Sequence, residues 1–133
     1  MLSGGSEKLI VADSDVLIEI LDRKSDRGDE ALERLVGSGE EVATTSVSLH
    51  EVLYGLNKYG KPVDEVLLLS VLAYSKKEAL ISSKIELEAE RKGKKVSRTD
   101  AIIASIAISN NAKLFTFNKK HFSIFSSFGL ELF

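Results

Sequence analysis

Three acidic side chains and one amide stand at or just after the ends of predicted strands in this 133-residue sequence. Asp13 ends a short apolar run, and Asn118 follows the predicted strand Lys113–Phe117. Glu51 and Asp100 lie near the starts of two predicted helices. In a right-handed βαβ unit, strand ends and the starts of the following helices share one edge of the sheet. The spacing therefore predicts that all four side chains meet at the carboxyl edge, where open α/β sheets bind ligands.

Such a group of oxygen ligands could hold a divalent cation. Carboxylates that are brought together repel one another and are costly to bury, so a neutralising cation is expected. Hard oxygen ligands suit Mg²⁺ or Mn²⁺ rather than zinc, and the predicted chemistry is metal-dependent phosphodiester hydrolysis. Structural roles remain open: Asp13 could be a helix cap, and Glu51 an exposed side chain. Asp100 could be a first-turn acid, spaced from Ser97 as in a capping box.

Strand patterns alternate with helix patterns along the chain. Strands are predicted at Lys8–Ala12, Glu41–Thr45, Ser70–Tyr74, Lys113–Phe117 and Leu130–Phe133. Helices are predicted from a cap at Asp13 or Ser14 to about Leu21, at Asp29–Val36, from Ser46 as the cap to about Gly60, and at Val63–Leu69, Glu78–Lys92 and Ala101–Ile108, with a charged turn at Asp22–Gly28. This alternation predicts an α/β fold, a three-layer sandwich with a mostly parallel central sheet flanked by helices. Residues 1–7 are expected to be a flexible N-terminal lead-in, and residues 8–133 a single domain.

Composition excludes several other classes of protein. The sequence has no cysteine, which removes disulfides, thiolate catalysis and Cys-based zinc sites. Its formal net charge of −2 argues against nucleic-acid binding through bulk charge but allows a local basic patch. No apolar run approaches the roughly 20 residues that span a bilayer, and no secretory signal is visible. We therefore expect a cytoplasmic protein.

Four segments together resemble the PIN-domain family, and within it the VapC-like toxins of toxin–antitoxin modules. They are Val11–Ile18, Thr45–Gly55, Asp100–Ala104 and Leu114–Phe122, in this order and at these spacings. The resemblance covers nearly the whole chain. It implies a parallel sheet flanked by helices, an endoribonuclease activity that depends on Mg²⁺ or Mn²⁺, frequent homodimers, and neutralisation by an antitoxin protein.

The resemblance also implies roles for individual residues. Asp13, Glu51 and Asp100 match the three acidic positions of the family site, which bind the metal and serve catalysis. The fourth position, often aspartate, is Asn118, whose carbonyl oxygen can still bind a metal ion but carries no charge. Some members with asparagine there have an acid three residues later, where this chain has His121.

Neighbouring polar and basic residues are expected to support this site. Asp15 is expected to compensate in part for the missing charge, and Ser14 and Thr116 match small hydroxyl positions that could orient ligands or waters. A basic stretch precedes Asp100, and we expect three of its side chains to bind RNA phosphates: Lys94, Lys95 and Arg98. A structural alternative is that these cations interact with a helix C-terminus. Lys119 and Lys120 are a second basic candidate.

Two other functions fit part of the pattern. The substituted fourth position fits a catalytically weakened PIN fold that acts as an RNA- or protein-binding module. Asp13 and Asp15 also resemble the opening motif of haloacid-dehalogenase-like phosphatases. Those enzymes need a late acidic pair to hold Mg²⁺, whereas the one acid after Asp100 is Glu131. RNA cleavage in the presence of a divalent metal would separate the nuclease from the binding module.

Overall fold

A sheet of parallel strands lies at the centre of the fold. Its five strands are β1 (Leu9–Ala12), β2 (Glu41–Thr45), β3 (Ser70–Leu72), β4 (Lys113–Phe115) and β5 (Glu131–Leu132). Their order across the sheet is β3-β2-β1-β4-β5, and every pairing is parallel. This is a computed structural model in which residues 8–133 are described; the lead-in predicted at residues 1–7 lies outside that range. The sheet is therefore fully parallel across the described strands, where the sequence predicted a mostly parallel one.

Helices cover both faces of this sheet. They are α1 (Ser14–Leu17), α2 (Asp26–Ser38), α3 (Ser46–Lys58), α4 (Lys76–Arg91), α5 (Arg98–Ser109) and α6 (Lys119–Phe122). A π-helical segment, Ile18–Arg23, continues α1, and a 3₁₀ segment, Ser123–Phe128, follows α6. The predicted short helix Val63–Leu69 is reduced to a 3₁₀ segment, Val66–Leu68, because the backbone becomes extended at Leu69 before it enters β3. Within residues 8–133, no helix is long and apolar enough to cross a bilayer.

Successive side chains of the central strands pack into opposite helical layers. On one face, Ile10 and Phe115 pack against α1 and α2, and Ala12 packs against α3. On the other face, Val11 and Leu114 pack against α4 and α5. The predicted three-layer sandwich is thus confirmed. Because β1 is packed on both faces, the residues that follow its carboxyl end are attached to a well-packed strand.

Capping side chains set two helix starts that the sequence placed differently. The first helical residue of α2 is Asp26, inside the predicted charged turn, because Ser25 Oγ accepts a hydrogen bond from the Gly28 N–H at 3.0 Å. The cap of α3 is Thr45 rather than Ser46, since the Thr45 side chain accepts the capping hydrogen bond. Both caps have extended backbone angles, and that conformation, rather than residue type alone, decides which hydroxyl can cap.

A buried glutamate ties the start of α4 to the end of α5. Glu78 Oε1 accepts hydrogen bonds from the Ser75 N–H at 3.0 Å and from the Ser75 hydroxyl, which completes a capping box. Glu78 Oε2 accepts a hydrogen bond of 2.7 Å from Ser109 Oγ. These hydrogen bonds, those from the two serine hydroxyls foremost, lower the pKa of Glu78 from 4.5 to about 2. The ionised carboxylate therefore stabilises the packing of α4 on α5.

Glu78→Gln is expected to lower the free energy of unfolding at pH 7 by about 2 kcal/mol, the range found for hydrogen bonds to charged groups. The folded-state pKa lies below the unfolded value of 4.5, so this stabilisation is present above pH 4.5 and is lost towards about pH 2. Urea unfolding of both proteins from pH 7 to pH 2.5 measures the difference. A difference that does not shrink at acidic pH would mean that packing, not charge, accounts for it.

Candidate functional site

Asp13 occupies the turn between the central strand and α1. Its N–H extends the sheet by donating to the Phe115 carbonyl at 2.9 Å, and its side chain caps α1 by accepting from the Ser14 N–H at 2.8 Å. The same carboxylate accepts hydrogen bonds from Ser48 Oγ at 3.3 Å and from Thr116 Oγ1 at 3.0 Å. Only 6% of Asp13 is exposed. The helix-cap role considered from the sequence is therefore real, but it uses one of several hydrogen bonds around this carboxylate.

Asp15 lies beside Asp13 in the first turn of α1. Its Oδ2 accepts hydrogen bonds from the Phe117 N–H at 3.0 Å and from Thr116 Oγ1 at 3.4 Å. Its Oδ1 is buried without a hydrogen-bond partner among the residues that the structure describes. The Thr116 hydroxyl thus lies between the two carboxylates, and the strand predicted at Lys113–Phe117 ends at Phe115 because the chain turns here.

The paired aspartates carry more negative charge than their surroundings neutralise. Burial is the largest cause that raises the pKa of Asp13 from 3.8 to about 6, and the charge on Asp15 adds to it, with a smaller contribution from Glu51. Hydrogen bonds from Ser14 and Thr116 act in the opposite direction but do not outweigh burial. Burial also raises the pKa of Asp15, against the hydrogen bond from the Phe117 N–H and the charge of Arg27. A bound cation would relieve this cost.

The other predicted ligands surround this pair less tightly. Glu51 is exposed on α3, and Asn118 is exposed after β4. Asp100 is half-buried in the first turn of α5, where its Oδ2 lies 3.9 Å from Nδ1 of His121. Within residues 8–133, no three acidic or histidine side chains stand close enough together to hold one ion. The structure therefore brings Asp13 and Asp15 together and leaves Glu51 and Asp100 apart from them.

The donor chemistry of this edge fits a hard divalent cation. The side-chain donors are carboxylate, hydroxyl and amide oxygens, which Mg²⁺ and Mn²⁺ prefer. Asp15 Oδ1 is an unpaired buried acceptor, and an unpaired buried charge is costly unless a cation or donor compensates it. Asp13 and Asp15 are the residues that fit such an ion in the conformation described.

Two site residues were not expected from the sequence. Ser48 donates to Asp13 and lies one helical turn before Glu51, so the spacing on α3 could have indicated it. Arg27 lies with its guanidinium carbon 3.7 Å from the centre of the Phe117 ring, in a pocket that also includes Asp15. No local pattern could have indicated Arg27, because its contacts are made by residues far away in the sequence.

The basic stretch that leads into α5 contains cations with and without an ion-pair partner among residues 8–133. Lys94 and Lys95 are exposed, and Lys95 lines a depression with Asp100 and Lys120. Arg98 instead donates two hydrogen bonds of 3.2 Å to the Glu86 carboxylate, and this pairing raises the pKa of Arg98. This ion pair already engages the Nε–H and one Nη2–H of Arg98 and offsets its charge. The predicted phosphate contact therefore fits Lys94 and Lys95 better than Arg98.

A parallel sheet with the buried Asp13 and the partly buried Asp15 at the end of its central strand defines an α/β protein with an acidic site at its carboxyl edge. The family model described as PIN domain matches residues 10–125, and the chain belongs to the PIN-domain family. Ribonuclease VapC2 of Rickettsia felis is 28% identical to this chain over an alignment of 130 positions. The alignment covers 92% of this chain and 96% of that protein. Ribonuclease VapC1 of Methanocaldococcus jannaschii is 29% identical to this chain. That alignment covers 96% of this chain and 88% of the other protein.

A solved structure shares the fold. The crystal structure of VapBC2 from Rickettsia felis, bound to a DNA fragment from its promoter, aligns with a TM-score of 0.77 at 26% identity. The alignment covers 94% of this chain and 97% of the other. The resemblance to VapC-like proteins stated from the sequence is therefore confirmed.

Proposed function

We propose that this protein is a divalent-metal-dependent endoribonuclease, the toxin of a toxin–antitoxin pair, and that residues 8–133 form one PIN domain. Membership of the PIN-domain family and the relatives named ribonuclease VapC support the activity. The observation that carries the metal dependence is the pair of Asp13, which is buried, and Asp15, whose buried Oδ1 has no hydrogen-bond partner among residues 8–133. Mg²⁺ or Mn²⁺ is the proposed cofactor.

The residues at the carboxyl edge of the sheet would have the following roles. Asp13, Glu51 and Asp100 are the proposed catalytic and metal-binding acids, with Asn118 as a further oxygen ligand. When bound, a divalent ion would neutralise the acids, polarise the phosphodiester and favour attack by water. Asp13 is held in one orientation by hydrogen bonds from the backbone and from the hydroxyls of Ser48 and Thr116.

The remaining polar residues act on the position of these acids. Thr116 Oγ1 lies 3.0 Å from Asp13 Oδ2 and 3.4 Å from Asp15 Oδ2, so its one proton links the two carboxylates and favours the closer Asp13. The Ser14 N–H donates to Asp13 and stabilises its ionised form. Glu51 is exposed, so its side chain can move without loss of core packing, and its charge contributes to the raised pKa of Asp13. Asp100 is held by one contact of 3.9 Å with His121, which would open if Asp100 bound the metal.

Metal removal tests the proposed activity. Purified protein, free of any antitoxin, should cleave some members of a panel of structured and unstructured RNAs with Mg²⁺ or Mn²⁺. Cleavage should fall to background in EDTA and return when excess Mn²⁺ is added. Cleavage that persists unchanged in EDTA would contradict metal dependence. An absence of cleavage across the panel with either metal would favour a PIN fold that serves as a binding module.

An antitoxin and a second copy of the chain are the proposed protein partners. Both proposals rest on the resemblance to VapC-like toxins. The surface offers apolar area for such contacts, since Leu67 and Leu68 are 56% and 86% exposed, and Val36 of α2 is 74% exposed. Co-purification with the product of an adjacent gene, and the molar mass in solution, measure the two associations.

A further inference from the structure

A small pocket opens beside Asp15 at the start of α2, whereas Asp100 starts α5, which covers the other face of the sheet. The side chains that line it include those of Asp15, Glu19, Arg23, Arg27, Phe117 and Asn118. Its volume is about 270 Å³. The pocket therefore lies between the proposed metal site and the start of α2.

The two arginines of this pocket differ in how their charges are engaged. Arg23 forms an ion pair of 3.3 Å with Glu19, whose side chain is only 15% exposed. Arg27 forms no ion pair within 4 Å with any residue from 8 to 133. Its guanidinium instead lies 3.7 Å above the centre of the Phe117 ring. The charge of Arg27 thus remains available at the mouth of the site.

Stacking on Phe117 limits how the Arg27 side chain can move. A guanidinium held by one face on an aromatic ring keeps its edge N–H groups free, and their fork matches the oxygens of a phosphate. The Phe117 backbone is held by its N–H, which donates to Asp15 Oδ2 at 3.0 Å, and the Phe117 ring packs edge-on against Phe115 with a centroid distance of 5.9 Å. Arg27, Phe117 and Asp15 are therefore connected to one another at the edge of the sheet.

We propose that Arg27 binds a phosphate of the RNA substrate next to the phosphate that is cleaved, on the Asp15 and Asn118 side of the site. This inference rests on the proposed ribonuclease function and adds a substrate contact to it. A polyanion that reaches Asp13 from this side meets a cation that is not paired with a carboxylate. Lys94 and Lys95 would contact the RNA strand on the other side of the site. The RNA would then cross the carboxyl edge of the sheet between Arg27 and these two lysines.

Helix α2 itself provides a matched control. Arg34 lies about two turns further along the same helix and also stacks on aromatic rings, at 4.8 Å from Phe115 and 4.5 Å from Phe133. It does not line the pocket beside Asp15. Arg27→Gln and Arg34→Gln thus remove the same charge and the same kind of stacking. Only Arg27→Gln should weaken the binding of RNA.

Binding in EDTA measures this contact without any need for cleavage. The probe is one fluorescein-labelled single-stranded RNA that the wild type cleaves when metal is present, or a uridine 20-mer if none is cleaved. Arg27→Gln should weaken binding about tenfold at low salt, as expected for one lost charge-assisted contact. It should also reduce the slope of log K against log[salt] by about 0.7, the value for one phosphate of a single strand. Arg27→Lys should keep the wild-type slope, and Arg34→Gln should match the wild type in both measures.

The outcomes separate this proposal from the proposed function. If the wild type cleaves RNA and Arg27→Gln keeps its affinity and salt slope, the phosphate contact is wrong and the ribonuclease stands. Weaker binding with an unchanged slope would mean that Arg27 stacks on a base, which also overturns the proposal. A wild type that neither cleaves nor binds RNA contradicts both. Equal melting temperatures of the two glutamine variants would show that a folding defect does not explain the difference.

Discussion

Asp13→Asn is expected to abolish RNA cleavage and, at the same time, to stabilise the metal-free protein. Loss of the central carboxylate should lower kcat/KM on the order of 10³-fold, as when a key electrostatic group is removed from other active sites. Asparagine keeps the acceptor for the Ser14 N–H, so the cap of α1 should survive. RNA cleavage and thermal unfolding in EDTA measure the two effects.

The sign of the stability change follows from the pKa of Asp13. This pKa is higher in the folded than in the unfolded state, so ionised Asp13 costs stability as the pH rises from about 4 to 6. A rise from 3.8 to about 6 corresponds to about 3 kcal/mol, and a buried amide should recover about half of it. The variant should therefore be more stable above pH 6 and similar to the wild type below pH 4.

Asp64→Asn is the matched control, because it makes the same chemical change at an exposed position. It should leave both cleavage and stability near the wild-type values. Added Mg²⁺ should raise the melting temperature of the wild type and of this control but not that of Asp13→Asn. Activity of Asp13→Asn equal to that of the wild type would refute the assignment of the site.

Gly28→Ala should unfold or strongly destabilise the protein, by about 3 kcal/mol, the upper range for overpacking. Gly28 is buried in α2 where that helix crosses the π-helical segment after α1. A Cβ there would collide with the Glu19 carbonyl group and lie 2.9 Å from the Ile20 nitrogen. Since these are backbone atoms, relief requires α2 to move away. That movement would also displace Arg27 from Phe117.

Gly37→Ala, on the same helix, provides the comparison. A Cβ at Gly37 would meet no atom within 4 Å, and alanine favours a helix over glycine by about 0.5 kcal/mol near a helix end. Urea unfolding should therefore show opposite signs for the two variants. Equal effects would mean that helix propensity, rather than the close contact with Glu19, governs both positions.

Local patterns were sufficient for much of the fold. The apolar run before Asp13 predicted β1, and the strand Glu41–Thr45 was placed as the structure has it. The helix after Ser97 begins at Arg98, because Ser97 caps it through the Asp100 N–H as its spacing indicated. These elements are predictable since burial on two faces and capping both leave periodic or short-range signals.

Helix starts and strand ends were less predictable where tertiary contacts decide them. Asp26 starts α2 inside a stretch that the sequence indicated as a turn, because Ser25 accepts from Gly28 and the helix packs closely on Glu19. β4 stops at Phe115 since the next residues turn towards the two aspartates. Neither decision has a signal in the local composition.

The sequence by itself determined the order of strands and helices, and it indicated the candidate oxygen ligands at one edge of the sheet: Asp13, Glu51, Asp100 and Asn118. It did so because the types and spacing of the residues indicate which segments are strands and which are helices. In right-handed βαβ units, this order places the carboxyl ends of the strands at one edge of the sheet. The tertiary structure decided which carboxylates lie together and which cations remain near them. Thr116 joins Asp13 to Asp15, whereas Glu86 engages Arg98 and Phe117 supports Arg27. These contacts join residues that are distant in the sequence, and the burial that raises the pKa of Asp13 exists only after the layers have packed.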